Sequence, residues 1–423
     1  MRTQLLKFAA GITGKRFFKN YNETKLTKDN KSLTDKYLQL LLIQAQQNPF
    51  YKNSSYQRLT DYPILTKEII RKDYLPLYIN RSKKGIVTNT SGGSTGEPIL
   101  IYQDRNYIDW SYATMMYYLQ DVRQVNTFCK KVILWGSEKD IFKQMNLKGK
   151  LSNFLNNQTF LNSFLMDYNK IKEYIEVINK EKPVFLKGYA GSLYEVAKVI
   201  NKENISIYSP KFIYSSAEEL KDFMRAEIES AFKCPVYDFY GSREVSAMAA
   251  ELHKNEYLIF SFDNFIEVLD ENNNEVLPGE EGRLVITNLH NYYFPLIRYE
   301  IGDTAIKGDL NKEYNLPTLK KITGRTTDHF KTSTGKIVHG EYFTHLFYFR
   351  DWVDLFQVVQ ESFKKITIYI VLIDGKEPNT KDKEDIDSKI KLVVGKDTII
   401  DWKFVTSIQK TKQGKHRYTI SNI

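Results

Sequence analysis

Two short apolar runs, Lys131-Val132-Ile133-Leu134-Trp135-Gly136 and Val184-Phe185-Leu186-Lys187-Gly188, constrain the fold of this chain more than any other feature. Each reads as a buried strand and each neighbours a helical stretch. Strands alternating with helices imply a parallel sheet covered by helices. Upstream, Leu33 to Gln47 carries a compact apolar helix pattern stopped by Asn48-Pro49, and Pro63 to Tyr74 predicts a second, short helix with Thr66 as N-cap. From Ile86 to Ile101 the pattern is strand, glycine-rich turn, strand. Residues 266–269 and 283–286, turning at Asn272-Asn273-Asn274, predict an antiparallel hairpin. After Gly324-Arg325 the chain changes character, with a boundary expected near 326–330 and strands at 357–360, 366–373 and 398–405 separated by a charged helix near 381–393, an α+β pattern of small-domain size. The expected class is α/β: a large domain over 1–327, opening with a basic arm at 1–32, and a small α+β domain over 328–423.

Charge narrows the partners. The 61 Lys+Arg exceed the 51 Asp+Glu by ten. The excess sits at the ends: residues 1–40 hold nine basic and three acidic side chains, residues 331–423 hold sixteen and twelve, and the middle is neutral. Nucleic-acid binders concentrate Lys/Arg on one face among aromatics. Here 29 Tyr and 25 Phe are spread along the whole chain, which reads as core and pocket packing, and no nucleic acid is expected. No apolar run reaches the roughly 20 residues of a membrane helix. The first apolar stretch is broken by Lys7, and Lys15-Arg16 stand where a signal peptide would be cut. With only Cys129 and Cys234, a disulfide framework is excluded and a cytoplasmic location is expected. The six histidines show no metal-ligand spacing.

The stretch Thr88-Asn89-Thr90-Ser91-Gly92-Gly93-Ser94-Thr95-Gly96-Glu97-Pro98 has a phosphate-cradling composition: glycines let backbone N–H groups converge, and hydroxyls add donors. A Walker loop would end in Gly-Lys-Ser/Thr and open a helix. Glu97-Pro98 and a strand follow instead, so a P-loop NTPase is disfavoured; taken alone, the loop reads equally well as a polar hairpin turn.

At this string the chain resembles the adenylate-forming enzymes, whose loop reads T-S-G-(S/T)-T-G-x-P, with one added glycine as in phenylacetate-CoA ligases. Further motifs match in the family's order: Ser215-Ser216-Ala217-Glu218, Tyr240-Gly241-Ser242-Arg243-Glu244, Pro295 to Asp303, Gly324-Arg325-Thr326-Thr327-Asp328, and Lys410 to Arg417. Within the superfamily it resembles the CapK-like group most, through Pro63-Ile64-Leu65-Thr66-Lys67, Gly188-Tyr189-Ala190, Gly282 to Leu289 and Phe356-Gln357-Val358-Val359-Gln360. It departs from the common pattern at Arg243, usually Thr or Ser, and at Thr327, often acidic.

The resemblance implies ATP-dependent activation of a small carboxylic acid as acyl-AMP, with transfer to a thiol such as CoA or, alternatively, to an amine or sugar acceptor in surface-polysaccharide synthesis. It implies that Thr90, Ser91, Gly92, Gly93, Ser94, Thr95 and Gly96 hold phosphates. Ser216, Ala217, Glu218, Tyr240, Gly241 and Ser242 would line the adenine and acyl pocket. Asp303 would bind ribose, Glu244 would hold Mg²⁺, Arg325 would assist at the nucleotide, and Lys415 would be the catalytic lysine on a mobile small domain. A single carboxylate with substrate phosphates suffices for Mg²⁺, and a cation between two anions offsets their repulsion. Pocket walls are expected from 189–194, 214–218 and 236–246. Two other readings stand beside this one: a catalytically silent protein of the same fold, and a non-catalytic membrane- or nucleic-acid-surface binder resting on the end charges; within the ligase reading, Lys15, Arg16 and Lys19 beside Phe17 and Phe18 are expected to touch anionic membrane or a membrane-side partner.

Overall fold

The computed structural model describes residues 14–26, 30–52, 56–81, 84–90, 99–136, 147–163, 166, 168–323, 330–333, 337–338, 340–347, 350–408 and 417–423. Two helices open the chain, α1 (Phe17–Leu26) and α2 (Asn30–Ala45). The stretch predicted as a short helix from Pro63 forms only a single α turn, Lys67–Ile69, where the Thr66 hydroxyl accepts from Ile69 N–H as a cap. Ahead of it the chain is extended, because Leu65 bridges to Tyr299; beyond it the coil widens at Ile70–Tyr74 and tightens at Leu75–Tyr78, around Pro76.

The sheet elements follow in order: β1 (Val87–Thr90), β2 (Leu100–Gln103), α3 (Arg105–Tyr117), β3 (Lys131–Trp135), α4 (Leu147–Leu155), β4 (Gln158–Asn162), α5 (Tyr168–Glu181), β5 (Phe185–Gly188), α6 (Ala190–Glu203), β6 (Phe212–Ser216), α7 (Asp222–Phe232) and β7 (Val236–Ser242). A mostly antiparallel series continues: β8 (Ser246–His253), β9 (Glu256–Ile259), β10 (Asn264–Leu269), β11 (Glu281–Asn288), β12 (Tyr299–Asn311) and β13 (Leu316–Ile322). Strands β4, β3, β5, β6 and β7 pair parallel, as their alternation with helices predicts. The hairpin expected from 266–286 is β10 against β11, with Leu269 opposite Arg283 and Asn273 at φ +66° in the turn. The sequence gives no sign that the parallel and antiparallel parts are one sheet. They form a continuous eleven-stranded sheet that changes from parallel to antiparallel at β7 and β8.

Helices α5, α6 and α7 cover one face through Ile171, Ile175, Leu193, Val196, Ile228 and Phe232, packed on Val132, Leu186, Ile213 and Val236. The other face buries Phe185, Phe212, Tyr214 and Phe239 under Trp110, Tyr117 and Tyr118. Full burial of such a side chain contributes about 1.5–3 kcal/mol. Asp104 caps α3 at Tyr107 N–H (2.8 Å) and also accepts from Tyr292 and Tyr293 N–H, fixing that helix against the loop ahead of β12.

The N-terminal helix bears on the expected membrane-facing arm. Phe17 is buried, its ring 4.4 Å from Phe18 and 5.7 Å from Tyr112, and Phe18 lies 6.1 Å from Phe128. Arg16 N–H donates to Asp109 (2.8 Å). Phe17 is therefore core and Phe18 packs partly buried against it, because the aromatic wall that includes α3 offers them contact within the protein. No helix among the described residues is long and apolar enough to cross a membrane.

Contacts divide the chain into two compact units, Met1–Asn89 with Leu100–Gly324, and Arg325–Ile423 with Thr90–Ile99. In the second lie β14 (Phe330–Lys331), β15 (Ile337–Val338), α8 (Gly340–Phe347), β16 (Val353–Ser362), β17 (Lys365–Leu372), α9 (Thr380–Val394), β18 (Ile399–Phe404) and β19 (Thr419–Ser421). Its four-stranded sheet runs β18-β17-β16-β19, with β16 and β17 antiparallel and both outer pairs parallel. Ile386 and Ile390 of α9 join Phe343, Trp352, Ile366 and Ile368 in the core. Arg350 pairs with Asp382 and Asp385 of that helix, and Trp352 Nε1 donates to Asp382 (2.8 Å).

Candidate active site

The parallel strands end together on one edge of the sheet. At the end of β6, Ser216 donates through Oγ to the Phe239 carbonyl of β7 (2.9 Å), and Ala217 turns the chain with φ +69°. The left-handed region is costly for alanine, and here it aims the next residue back at α6. Glu218 is buried and accepts from Gly191 N–H (2.7 Å) in the first turn of α6, where a negative charge meets the positive helix end. The structure thus gives Glu218 a helix-capping contact, a use the sequence does not announce. Beside it, Tyr189 stacks on Trp135 at 4.1 Å and its hydroxyl donates to the Gly136 carbonyl (3.2 Å), while the Lys187 ammonium lies 4.6 Å from the Trp135 ring.

Strand β7 leads into the Tyr240-to-Glu244 turn. Gly241 is required there: a Cβ would sit 2.7 Å from the Ser246 carbonyl oxygen, at a bulge between β7 and β8. Ser242 Oγ accepts from Glu244 N–H (3.2 Å) and Val245 N–H (3.3 Å), closing the turn so that the Glu244 carboxylate is buried beneath it.

Strand β12 supplies the opposing wall. Its entry is fixed by Arg298, whose guanidinium donates twice to Glu267 (3.1 and 3.0 Å) and whose carbonyl accepts from Leu65 N–H (2.9 Å). The Pro63-to-Lys67 string is thereby held against the Pro295-to-Asp303 string. Farther along β12 the Tyr240 hydroxyl donates to Asp303 Oδ2 at 2.6 Å, joining residues 63 apart in sequence, both buried. Between the two motifs stands Tyr299, fully buried, its hydroxyl 3.5 Å from Glu244 Oε1. Burial first, then the charges of Glu244 and Asp303, push its hydroxyl well above the ordinary tyrosine range, so it stays a protonated donor between two carboxylates.

Two residues without a sequence signal tie the loop strands to this turn. Gln103 of β2 donates to the Arg243 carbonyl (2.7 Å), and Asn89 of β1 reaches the same oxygen (3.4 Å). Their partner is 140 residues from Gln103, so no local pattern could reveal it. Thr90 ends β1. Ser91, Gly92, Gly93, Ser94, Thr95, Gly96, Arg325 and Lys415 lie outside the described residues. His290 is a core residue: it stacks on Trp110 at 4.0 Å, its Nε2 faces the Phe262 carbonyl, and burial lowers its pKa to about 3. For Mg²⁺ the donor set fits a lone buried carboxylate, Glu244, completed by substrate phosphates and water. No group of three or more His, Cys, Asp or Glu side chains suited to a metal occurs among the described residues.

A continuous sheet with motif-bearing turns along one edge, and a separate four-stranded α+β unit, define the fold of the adenylate-forming ligases. More narrowly, the chain is similar to CapK proteins. Residues 330–422 match the CapK C-terminal domain family. Over 387 residues, 88% of this chain and 82% of the relative, the sequence is 27% identical to Protein CapK of Staphylococcus aureus. Among solved structures it is similar to a 2-hydroxyisobutyryl-CoA ligase bound to 2-HIB-AMP and CoA in the thioesterification state, with a TM-score of 0.61 and 18% identity over 93% of this chain and 89% of that one. It is likewise similar to an open conformation of the same ligase, with a TM-score of 0.55 and 18% identity over 92% and 91% of the two chains. At this identity the two structures speak to the fold.

Proposed function

We propose that this protein is an AMP-forming carboxylate ligase: it condenses a small carboxylic acid with ATP to acyl-AMP and pyrophosphate, then passes the acyl group to a thiol such as CoA. The observation that carries this reading is the meeting of Tyr240, Glu244, Tyr299 and Asp303, drawn from two separated motifs onto one edge of the sheet.

In adenylation a substrate carboxylate oxygen bonds to the α-phosphorus as the bond from that phosphorus to the bridging oxygen of pyrophosphate breaks. Mg²⁺, when bound through Glu244 and the phosphates, supplies charge neutralisation for the departing pyrophosphate. Asp303, held by Tyr240, accepts from ribose hydroxyls, and the Tyr240 ring offers a face to adenine. Tyr299 holds the Glu244 carboxylate while excluding water from behind it. Ser91 to Gly96 donate to the phosphates, Arg325 binds the nucleotide, and Lys415 neutralises the approaching carboxylate against the α-phosphate. The wall of Trp135 and Tyr189 borders the acyl group. The mixed anhydride is then open to a thiol or an amine.

Purified protein screened against a library of carboxylic acids is expected to release pyrophosphate with at least one, and Lys415→Ala and Glu244→Ala each to abolish that release. No release with any acid, or wild-type release from both variants, refutes the reading. Adding CoA or candidate amines to trapped acyl-AMP distinguishes thioester from amide formation. A liposome sedimentation assay with and without residues 1–20 tests the membrane-contact alternative, which the burial of Phe17 disfavours.

A further inference from the structure

Arg243 is the residue of the Tyr240-to-Glu244 turn that the mechanism above leaves without a task, and it is also where that turn departs from the common pattern. The fold fixes its backbone from two sides. The Arg243 carbonyl accepts from Gln103 Nε2 (2.7 Å) and from Asn89 Nδ2 (3.4 Å), residues of β2 and β1, and Gln103 is buried. The N–H groups that follow, those of Glu244 and Val245, both donate to Ser242 Oγ (3.2 and 3.3 Å). Side chains leaving a turn tied in this way start from fixed points. Glu244 passes beneath the turn, 4% exposed, with the Tyr299 hydroxyl 3.5 Å from its Oε1, whereas Arg243 stays half-buried.

Other arginines of the chain are committed: Arg225 to Glu251, Arg283 to Glu300, Arg298 to Glu267 and Arg350 to Asp382. The Arg243 guanidinium makes no hydrogen bond or ion pair among the described residues. Next to it in the chain stands one buried carboxylate, Glu244, and a second, Asp303, is held by Tyr240 at 2.6 Å. Carboxylates repel a polyphosphate, and a cation close by offsets that repulsion. A guanidinium is always charged, and its planar fork of five N–H donors matches phosphate oxygens two at a time. The Thr or Ser more usual at this position offers a hydroxyl and no charge.

We propose that Arg243 is a further catalytic residue of adenylation: it binds the β- and γ-phosphates of ATP and stabilises pyrophosphate as it leaves. This rests on the ligase reading and on Glu244 facing the phosphates. As the bond from the α-phosphorus to the bridging oxygen breaks, its electron pair stays on that oxygen, and the negative charge of the departing pyrophosphate grows. A guanidinium already aimed from a fixed turn stabilises that charge without any proton transfer. AMP carries neither of the two outer phosphates, so the contact belongs to ATP and pyrophosphate alone.

The test titrates wild type, Arg243→Thr and Arg243→Lys, all as full-length chains, with ATP and separately with AMP in the presence of magnesium chloride by calorimetry. Pyrophosphate release is then measured against ATP and acid concentration, with an acid accepted in the library screen. In Arg243→Thr the Kd for ATP is expected to rise on the order of 10- to 100-fold, as for the loss of a hydrogen-bonded charge, while the Kd for AMP and the KM for the acid are retained. Arg243→Lys, which keeps the charge and loses the fork, is expected to fall between the two. Wild-type ATP affinity and release in Arg243→Thr, an equal weakening of ATP and AMP such as a disturbed turn would give, or a raised KM for the acid with ATP affinity unmoved overturns the proposal. Wild-type protein that binds neither nucleotide and releases no pyrophosphate overturns the ligase reading instead, so the two failures are distinguishable.

Discussion

Replacing Arg298 by methionine probes the buried joint on which β12 and the Pro63-to-Lys67 segment depend. Arg298 sits at φ +51°, with its guanidinium on Glu267 at 3.1 and 3.0 Å and its Nη1 3.3 Å from the Tyr62 carbonyl. The two side chains are 9% and 11% exposed, so solvent does little to screen the pair. Methionine fills much of the arginine stem but leaves the Glu267 carboxylate buried with its cation gone. Removing one partner of a buried pair costs about 3–5 kcal/mol, and the loss is measurable as a lower urea midpoint at constant slope. The pH dependence adds a second check. Burial raises Glu267 above its ordinary 4.5 even against the pull of Arg298. A raised carboxyl contributes stability that is fully present below the unfolded value and is lost as pH rises through the folded one. Without Arg298 the folded value rises further, so the deficit of Arg298→Met is expected to be largest near pH 8 and to shrink toward pH 4.5. Arg298→Met/Glu267→Leu is expected to recover most of the loss, since an apolar pair in that place leaves no charge to bury. A deficit below about 1 kcal/mol at pH 8, typical of an exposed pair, or one that grows as pH falls, would refute the reasoning.

Asp263 provides a second titration. It is fully buried, accepts from the Thr114 hydroxyl at 2.7 Å, and burial raises its carboxyl from 3.8 to about 7. Its contribution to stability is therefore lost as pH rises from about 4 through 7, and at about 1.4 kcal/mol per tenfold it is bounded near 4 kcal/mol. Asp238, raised by burial to about 7, acts in the same window. Asp263→Asn is expected to reduce the fall in urea midpoint between pH 4 and 8 to roughly half; an unchanged slope contradicts the assignment. Tyr240→Phe removes the 2.6 Å bond to Asp303. A hydrogen bond to a charged acceptor contributes about 1.5–3 kcal/mol. Pyrophosphate exchange should show a KM for ATP raised on the order of tenfold or more with the fold retained by circular dichroism, and an unchanged KM would separate Tyr240 from the nucleotide.

Much of the fold was legible because it is locally encoded. Lys131–Trp135 and Phe185–Gly188 are strands for the reason their composition suggests, Thr66 caps the turn it precedes, and Asn273 makes the hairpin turn that its neighbours require. The family resemblance likewise pointed to Tyr240, Glu244 and Asp303, and the folded chain brings Tyr240 onto Asp303. Local signals fail where a partner lies far along the chain. The continuity of the parallel and antiparallel strands in one sheet, the Tyr299 hydroxyl between two carboxylates, and the Gln103 and Asn89 bonds to the Arg243 carbonyl all depend on contacts between distant segments. The packing of Phe17 and Phe18 depends on distance in the same way: beside lysines they look like a surface anchor until α3 is seen to offer them apolar partners. The sequence by itself determined which residue types and turns this protein has, because propensity, capping and motif chemistry act within a few residues. Only the tertiary structure decided which of them meet, because burial and hydrogen bonding are satisfied by whatever the folded sheet brings within about 3 Å.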